Sequence, residues 1–416
     1  MKIIKFIGIF IFIPNYMFAS HDFLIGSGPT SQGYAGAGSA DSNEPFLIFY
    51  NPSRITTTPK NRIGCGLSMG HKDFKINNNS YEKGNYFLLE GGLIIPFDGK
   101  LQGLYLGLAL TFPQPSIMYM YSQDPNYPQF INYRNLLRYS IKPALAYKMS
   151  NRLSLGIALD IFGNSYGRSR VSIDLANQKT TQSDFIMDQK FTYTPIIGIS
   201  YDFPYTLSTA LSYRFKNSLN LKIDTNFDMQ LLNMNVIQDG QSFFVPSEIT
   251  LGVVSKPHEN IKFLLDLGYI FFSEMPPQYV IIEIEPNVLF PSVKNTEQKK
   301  ISAKDVIRIK LGWGFYLYEK RVELRIGYQY LPTPIPDQIY NTNLLDSDRH
   351  TFAIGSGLHL DDPTGLLPNG FDLNIYFQYH YLLKRSFNKV NPLDPYGDYS
   401  ISGNFMEGGL GISFSL

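Results

Sequence analysis

The sequence holds one cysteine, Cys65, among 416 residues, so no disulfide can form within a single copy. Nowhere do about 18 apolar residues run together, so no segment has the length of a membrane-spanning helix. Charge is sparse. Asp, Glu, Lys and Arg supply 17% of the chain, against ~25% in ordinary soluble domains. The formal net charge is +1, which offers nothing to a nucleic acid or another polyanion. The six histidines have neither H-x-x-x-H nor H-x-H spacing, so no metal and no other cofactor is expected. The glycine cluster GYAGAG, Gly33–Gly38, follows no strand and is not a dinucleotide fingerprint.

Aromatic residues are what the chain has in excess: 29 Tyr and 31 Phe. Its first stretch, MKIIKFIGIFIFIPNYMFAS, reads as a signal peptide over residues 1–20. Lys2 and Lys5 form the basic end. The apolar run Phe6–Ile13 is shorter than the ~20 residues a spanning helix needs, though an N-terminal anchor remains an alternative. Cleavage is expected after Ala19 or Ser20. An exported aromatic chain without a spanning helix is either a secreted β-protein or an outer-membrane barrel.

Strict alternation favours the barrel. Leu410, Ile412, Phe414 and Leu416 alternate with Gly409, Gly411, Ser413 and Ser415. Ile307, Ile309, Leu311, Trp313 and Phe315 alternate with Arg308, Lys310, Gly312 and Gly314. Period 2 gives each strand one apolar and one wet face. Strands are expected near 61–70, 86–95, 103–112, 136–149, 152–166, 190–202, 206–217, 244–256, 260–273, 304–317, 320–331, 349–360, 370–384 and 404–416. They number about fourteen, an even count as closed bacterial barrels require, and most reach the ~9–11 residues of a tilted transmembrane strand. Tight turns alternate with long polar connections at 113–135, 167–189, 218–243, 274–303, 332–348 and 385–403, the usual asymmetry between the two ends of such barrels. By parity Arg138, Lys142, Asp160, Arg214, Lys262, Asp266, Arg308, Lys310, Arg321, Glu323, Arg325, Asp372 and Glu407 point inward. His380 does too. With Leu382 where a catalytic serine would stand, it reads as part of a polar network, and no enzymatic activity is expected.

Gly26–Ile55 fits no strand or long helix, because its glycines recur without period. Yet Phe46–Tyr50 needs burial. A compact segment ahead of a β-array reads as a plug, which divides the chain into a hatch over 21–58 and a transmembrane barrel over 59–416. The fold expected is all-β: an antiparallel barrel of about 14 strands around an N-terminal hatch.

Several stretches resemble the FadL family of outer-membrane transporters. GYAGAGSADSNEPFLIFYNPSRI is similar to the family's hatch, with Asn51-Pro52-Ser53 at its Asn-Pro-Ala motif and Ser in place of Ala. KDVIRIKLGWGFYLYEKRVELRIGYQYLPTPIPDQ and the later DSDRH resemble strands ten to twelve. The resemblance implies passive uptake of hydrophobic small molecules, long-chain fatty acids or aromatic hydrocarbons. It implies sideways release into outer-membrane lipid through a gap at strand three, met by the hatch's Phe46, Phe49, Asn51 and Pro52 at Gly103 and Gly107. Lys300 resembles the family's cationic contact to a ligand carboxylate, with Lys299 and Lys304 as neighbours in register. Arg168 resembles a second such contact, with Arg170 as its alternative. The apolar Phe112, Ile117, Met118 and Met120 suggest ligand capture ahead of the barrel. The chain's final strand resembles the signal read by the barrel-assembly machinery. A monomer is the family's usual state. The rival reading is a structural or surface-contact barrel, touched by phage or host, without transport.

Overall fold

The computed structural model describes residues 26–416, apart from 43, 115–139, 175–178, 229–232, 276–277, 285–292, 296–297, 300–301, 338–345, 363–366, 368 and 391–396. The signal-peptide stretch, Ile117, Met118, Met120, Arg138 and Lys300 fall outside the described residues.

Fourteen antiparallel strands close a barrel. They are β1 (Arg62–Ile76), β2 (Asn79–Pro96), β3 (Leu104–Gln114), β4 (Ser140–Lys148), β5 (Leu153–Asp174), β6 (Lys179–Asp202) and β7 (Leu207–Arg214). The others are β8 (Glu248–His258), β9 (Ile261–Ile270), β10 (Val306–Leu317), β11 (Val322–Leu331), β12 (Arg349–Leu360), β13 (Phe371–Phe387) and β14 (Tyr399–Ser415). Closure is the pairing of β1 with β14, from Arg62↔Ser415 to Ile76↔Ile401. Each strand's polar backbone is thereby satisfied within the wall, the condition for crossing hydrocarbon without an open edge.

The alternation sorts side chains as their chemistry requires. Leu155, Ile157 and Leu159 stand exposed on the outside of β5, and Leu410 and Ile412 do so on β14. Gly411 and Ser413 face inward. So broad an exposed apolar surface suits lipid, not water. Aromatic pairs mark strand ends: Tyr201 meets Phe203 edge-on with centroids 4.7 Å apart, and Tyr213 meets Phe215 at 4.6 Å.

Three expectations change. The β1–β2 connection is a two-residue turn at Asn77 and Asn78, both at positive φ (49° and 67°), so these strands run further than their apolar alternation. The connections expected at 167–189, 218–243 and 274–303 contain much regular structure. β5 and β6 continue through the first of them, pairing as far as Asp174↔Lys179. Strands Asn217–Asp228 and Asn233–Val245 form a hairpin in the second, with its first strand parallel to β5 from Gly167↔Ile223 to Ser172↔Asp228. Strand Gln278–Ile284 then pairs with Asn233–Val245. The strand Asn217–Asp228 does alternate in sequence, with Leu219, Leu221, Ile223 and Phe227 between Asn220, Lys222, Asp224 and Asn226, whereas the early part of β6 and Asn233–Val245 keep no such period. Finally, Arg321 keeps its inward parity, lining the same cavity as Glu323 and Arg325, but stands at a barrel rim: it is 57% exposed and pairs with Asp361, Nη1 to Oδ2 3.0 Å.

The β4–β5 ladder is interrupted. Ile141 pairs with Ile161 and Ala144 with Ala158, but the two intervening positions do not pair. Pro143 occupies one of them and has no N–H to donate. Its pairing with Leu108 of β3 is intact.

Candidate functional site

Residues 26–58 fill the barrel as a plug of short turns: a helical turn Pro29–Gly33 and 3₁₀ turns Leu47–Phe49 and Pro52–Thr57. Glycine is obligatory at Gly28. Its φ is +81°, and a Cβ there would come 2.5 Å from the Cβ of Phe46. Asn51 starts the last turn. Its Oδ1 accepts hydrogen bonds from Ser53 N (3.0 Å) and Ser53 Oγ (2.7 Å), with Pro52 opening the turn behind it.

One face of the plug is apolar. Phe46, Ile48, Phe49 and Ile55 pack with Ile94 of β2, Ala109 of β3, Ala144 of β4, Ala158 of β5 and Ile196 of β6. The wall here is lined by small residues, so plug and wall backbones approach closely. A Cβ on Gly107 would lie 2.7 Å from Ile48 Cδ1, and one on Gly156 only 2.4 Å from Ser53 N.

The opposite side, supplied by β8–β11, carries most of the polar contacts, beside a small apolar cluster of Tyr34, Ala37 and Ala40 with Ala210, Val254 and Leu264. Asp266 accepts hydrogen bonds from Gly38 N (3.0 Å), Ser39 N (3.1 Å) and Ser39 Oγ (2.8 Å). Lys310 Nζ donates to Gly36 O at 2.9 Å. Lys262 Nζ sits 3.2 Å from Asp41 Oδ2 and 3.0 Å from Glu323 Oε1. Elsewhere Glu90 accepts from Gly28 N, Gln378 Nε2 donates to Gln32 O, and Arg214 donates to Phe49 O. Hydrogen bonds to charged groups contribute about 1.5–3 kcal/mol each. The lumen charges therefore hold the plug, rather than lining an aqueous pore. His380 is fully buried with its Nδ1 2.9 Å from Thr351 Oγ1, a place within that network.

A cavity of about 260 Å³ lies between Thr30, Asp41 and Glu44 of the plug and Arg62, Lys262, Arg325 and Asp372 of the wall, at the barrel end that carries Arg62 and Ser415. Burial there pushes the Glu44 carboxyl up to about 7, despite the opposing Arg62 charge and the hydrogen bond from Thr30 Oγ1. A smaller one, about 30 Å³, is bounded by Phe49, Tyr50, Arg214, Glu248 and Arg308.

The structure separates the residues that sequence reasoning grouped. Phe46 and Phe49 are buried in the plug, and Gly107 lies beneath Ile48. The turn Asn51-Pro52 rests on β5–β7, not on β3. A Cβ on Gly198 would collide with Asn51 Oδ1, and Asn51 Nδ2 donates to Leu211 O at 3.2 Å. Contacts with β3 come from Ile48 and Ile55 instead. Gly103 does not meet the plug; it takes φ +91° in the turn before β3 and accepts a hydrogen bond from Lys148 N. Phe112 is 40% exposed on the outer face of β3, opposite Leu89 in register, and so belongs to the lipid-facing row. The backbone of Arg168 lies in β5, paired with Ile186; its side chain is outside the described portion. Sequence reasoning missed Gly156 and Gly198 as docking positions. Their only trace was the small residue at alternate positions Gly156 and Ala158.

Comparison with known proteins agrees with this geometry. The family described as outer membrane protein transport protein (OMPP1/FadL/TodX) matches residues 25–373. No curated protein matches the chain. A Pseudomonas aeruginosa FadL homologue is similar in structure at 13% identity and TM-score 0.66, covering 97% of this chain and 99% of that one. The toluene transporter TodX of P. putida is similar at 13% identity and TM-score 0.60, over 94% and 99%. The monoaromatic hydrocarbon channel CymD is similar at 13% identity and TM-score 0.57, over 94% and 98%. At such identities the likeness is one of fold.

Proposed function

The chain belongs to the OMPP1/FadL/TodX family of outer membrane transport proteins and is a multi-pass β-barrel of the bacterial outer membrane; from that premise we propose that it conducts hydrophobic small molecules inward by diffusion. The cargo is a long-chain fatty acid or an aromatic hydrocarbon. Support comes from one arrangement above all: the plug packs a large apolar cluster against a wall of small residues, while charged side chains of the opposite wall hold its other side by hydrogen bonds. Hydrophobic cargo can displace the first face at little cost, whereas ions meet the second. Release is sideways into the membrane near β3, where Ile48 packs over Gly107. No cofactor takes part and no bond is made or broken.

Further parts of the reading concern the termini and the head group. Residues 1–20 are a signal peptide, the hatch spans 21–58, the barrel-assembly machinery inserts the chain by its last strand, and the chain acts as a monomer. Arg168 and Lys300 receive a carboxylate, because carrying that charge unpaired into an apolar site costs several kcal/mol. The test is uptake of labelled oleate and toluene by cells lacking their own transporter. Uptake above vector cells is expected; none for either compound would leave the rival contact-protein reading. Replacing Arg168 and Lys300 together by Ala should weaken oleate binding by about 2–5 kcal/mol and leave toluene unchanged. Equal loss for both compounds would make these charges scaffold.

A further inference from the structure

Among the described residues β3 is paired without interruption, to β2 from Phe87↔Gln114 to Pro96↔Tyr105 and to β4 from Leu104↔Tyr147 to Thr111↔Ser140. The break in the neighbouring wall is one strand farther on. Ile141↔Ile161 and Ala144↔Ala158 share a single register, which sets Lys142 opposite Asp160 and Pro143 opposite Leu159. Neither pair forms. Because Pro143 keeps its place beside Leu108, the backbone donor it lacks is the one that would face β5.

Side chains bridge the gap on the lumen side. Lys142 is fully buried, with its Nζ 2.9 Å from Asp160 Oδ1 across the unpaired position. Nζ also donates to Ser140 Oγ at 2.6 Å, and Ser140 Oγ donates to Asp160. The Phe49 ring of the plug covers the ammonium, with its centroid 4.5 Å away. Next to them the lumen face carries only methyl groups, from Ala144 and Ala158. On the lipid side stand Leu159 and Leu145, both exposed. A ladder short of one donor, with thin walls, apolar outside and latched inside by one ion pair beneath the plug, is a place where strands can part with one backbone hydrogen bond fewer to break.

We propose that cargo leaves the lumen between β4 and β5, through the seam at Lys142-Pro143, and that the Lys142–Asp160 pair is the latch through which movement of Phe49 frees it. The proposal rests on the reading of sideways release and sets the opening one strand beyond β3. Displacing Phe49 removes the cover from Lys142 and exposes the pair to the cargo. A carboxylate can then take the place of Asp160 on Lys142, whereas a neutral hydrocarbon cannot.

Cross-linking tests it in a Cys65→Ser background. Ile141→Cys with Ile161→Cys staples β4 to β5 beside the gap, at residues opposite in register. Leu106→Cys with Leu145→Cys staples β3 to β4. Labelled oleate uptake is measured in cells, oxidised and reduced, and folding is checked by the heat-dependent gel shift of the barrel. The β4–β5 staple is expected to slow uptake at least tenfold, reversibly on reduction, while the β3–β4 staple changes it less than twofold. A second variant, Pro143→Ala, restores the missing donor and should slow uptake severalfold without any cross-link. The reverse pattern between the staples would overturn the seam but leave sideways release standing. If neither staple affects an uptake that the unstapled protein shows, the seam is wrong. If the folded, unstapled protein takes up neither oleate nor toluene, the transport reading fails and the seam with it.

Discussion

Gly156→Ala is a single-methyl test of how the plug is seated. The new Cβ would stand 2.4 Å from Ser53 N and 2.5 Å from the Pro52 carbonyl carbon. Both are backbone atoms in a 3₁₀ turn whose first residue is held by Asn51, so neither can rotate aside. Overpacking of this kind costs about 1–3 kcal/mol. Because β5 is folded whether or not the plug is docked, that penalty of about 1–3 kcal/mol falls wholly on docking and raises the undocked population roughly 5–150-fold. Gly84→Ala is the control, since a Cβ there meets nothing within 4 Å. Purified protein in planar bilayers reads the difference as the fraction of time spent conducting. Gly156→Ala should open far more often than either Gly84→Ala or the parent, with an unchanged barrel by gel shift. If it is as closed as the control, the plug is not seated on β5 through this turn.

Asp266→Ala strips the acceptor from Gly38 N, Ser39 N and Ser39 Oγ; at about 1–3 kcal/mol per buried unsatisfied donor, a leaky but fully inserted barrel is expected, and parental conductance would refute it. Glu44 gives a pH dependence. Its folded value of about 7 exceeds the ordinary 4.5, so the docked plug binds the proton more tightly, and its seating is strongest below about 4.5, weakens as pH rises to about 7, and is level above. Conductance should rise over that window in the parent and stay flat in Glu44→Gln; identical profiles would exclude Glu44 as the titrating group. An epitope after Val390, which is exposed just past the end of β13, should be labelled on intact cells, and one after Asn151, in the β4–β5 turn, only after permeabilisation. The opposite result would invert the barrel.

Alternation alone disclosed the barrel, because a wall between lipid and lumen imposes period 2 on every strand that crosses hydrocarbon. That is why Leu410 and Ile412 could be set outside, and Lys142, Asp266 and Lys310 inside, before any contact was known. The same rule gave no signal along the early part of β6 and in the strand Asn233–Val245, where the sequence keeps no period 2. Glycines without period, together with the apolar run Phe46–Tyr50, disclosed a plug but not its seat. Parity tells which way a side chain points, and it is silent on what stands opposite across the lumen. Only the closed barrel brought Asn51 to Gly198, Ile48 to Gly107 and Asp266 to Gly38 and Ser39, because those pairs are distant in sequence and meet through the curvature and shared register of the whole wall. Pro143 was visible in the sequence from the start. That its missing N–H faces β5 and not β3 depends on which neighbour each backbone group of β4 addresses, and tertiary pairing alone decides that.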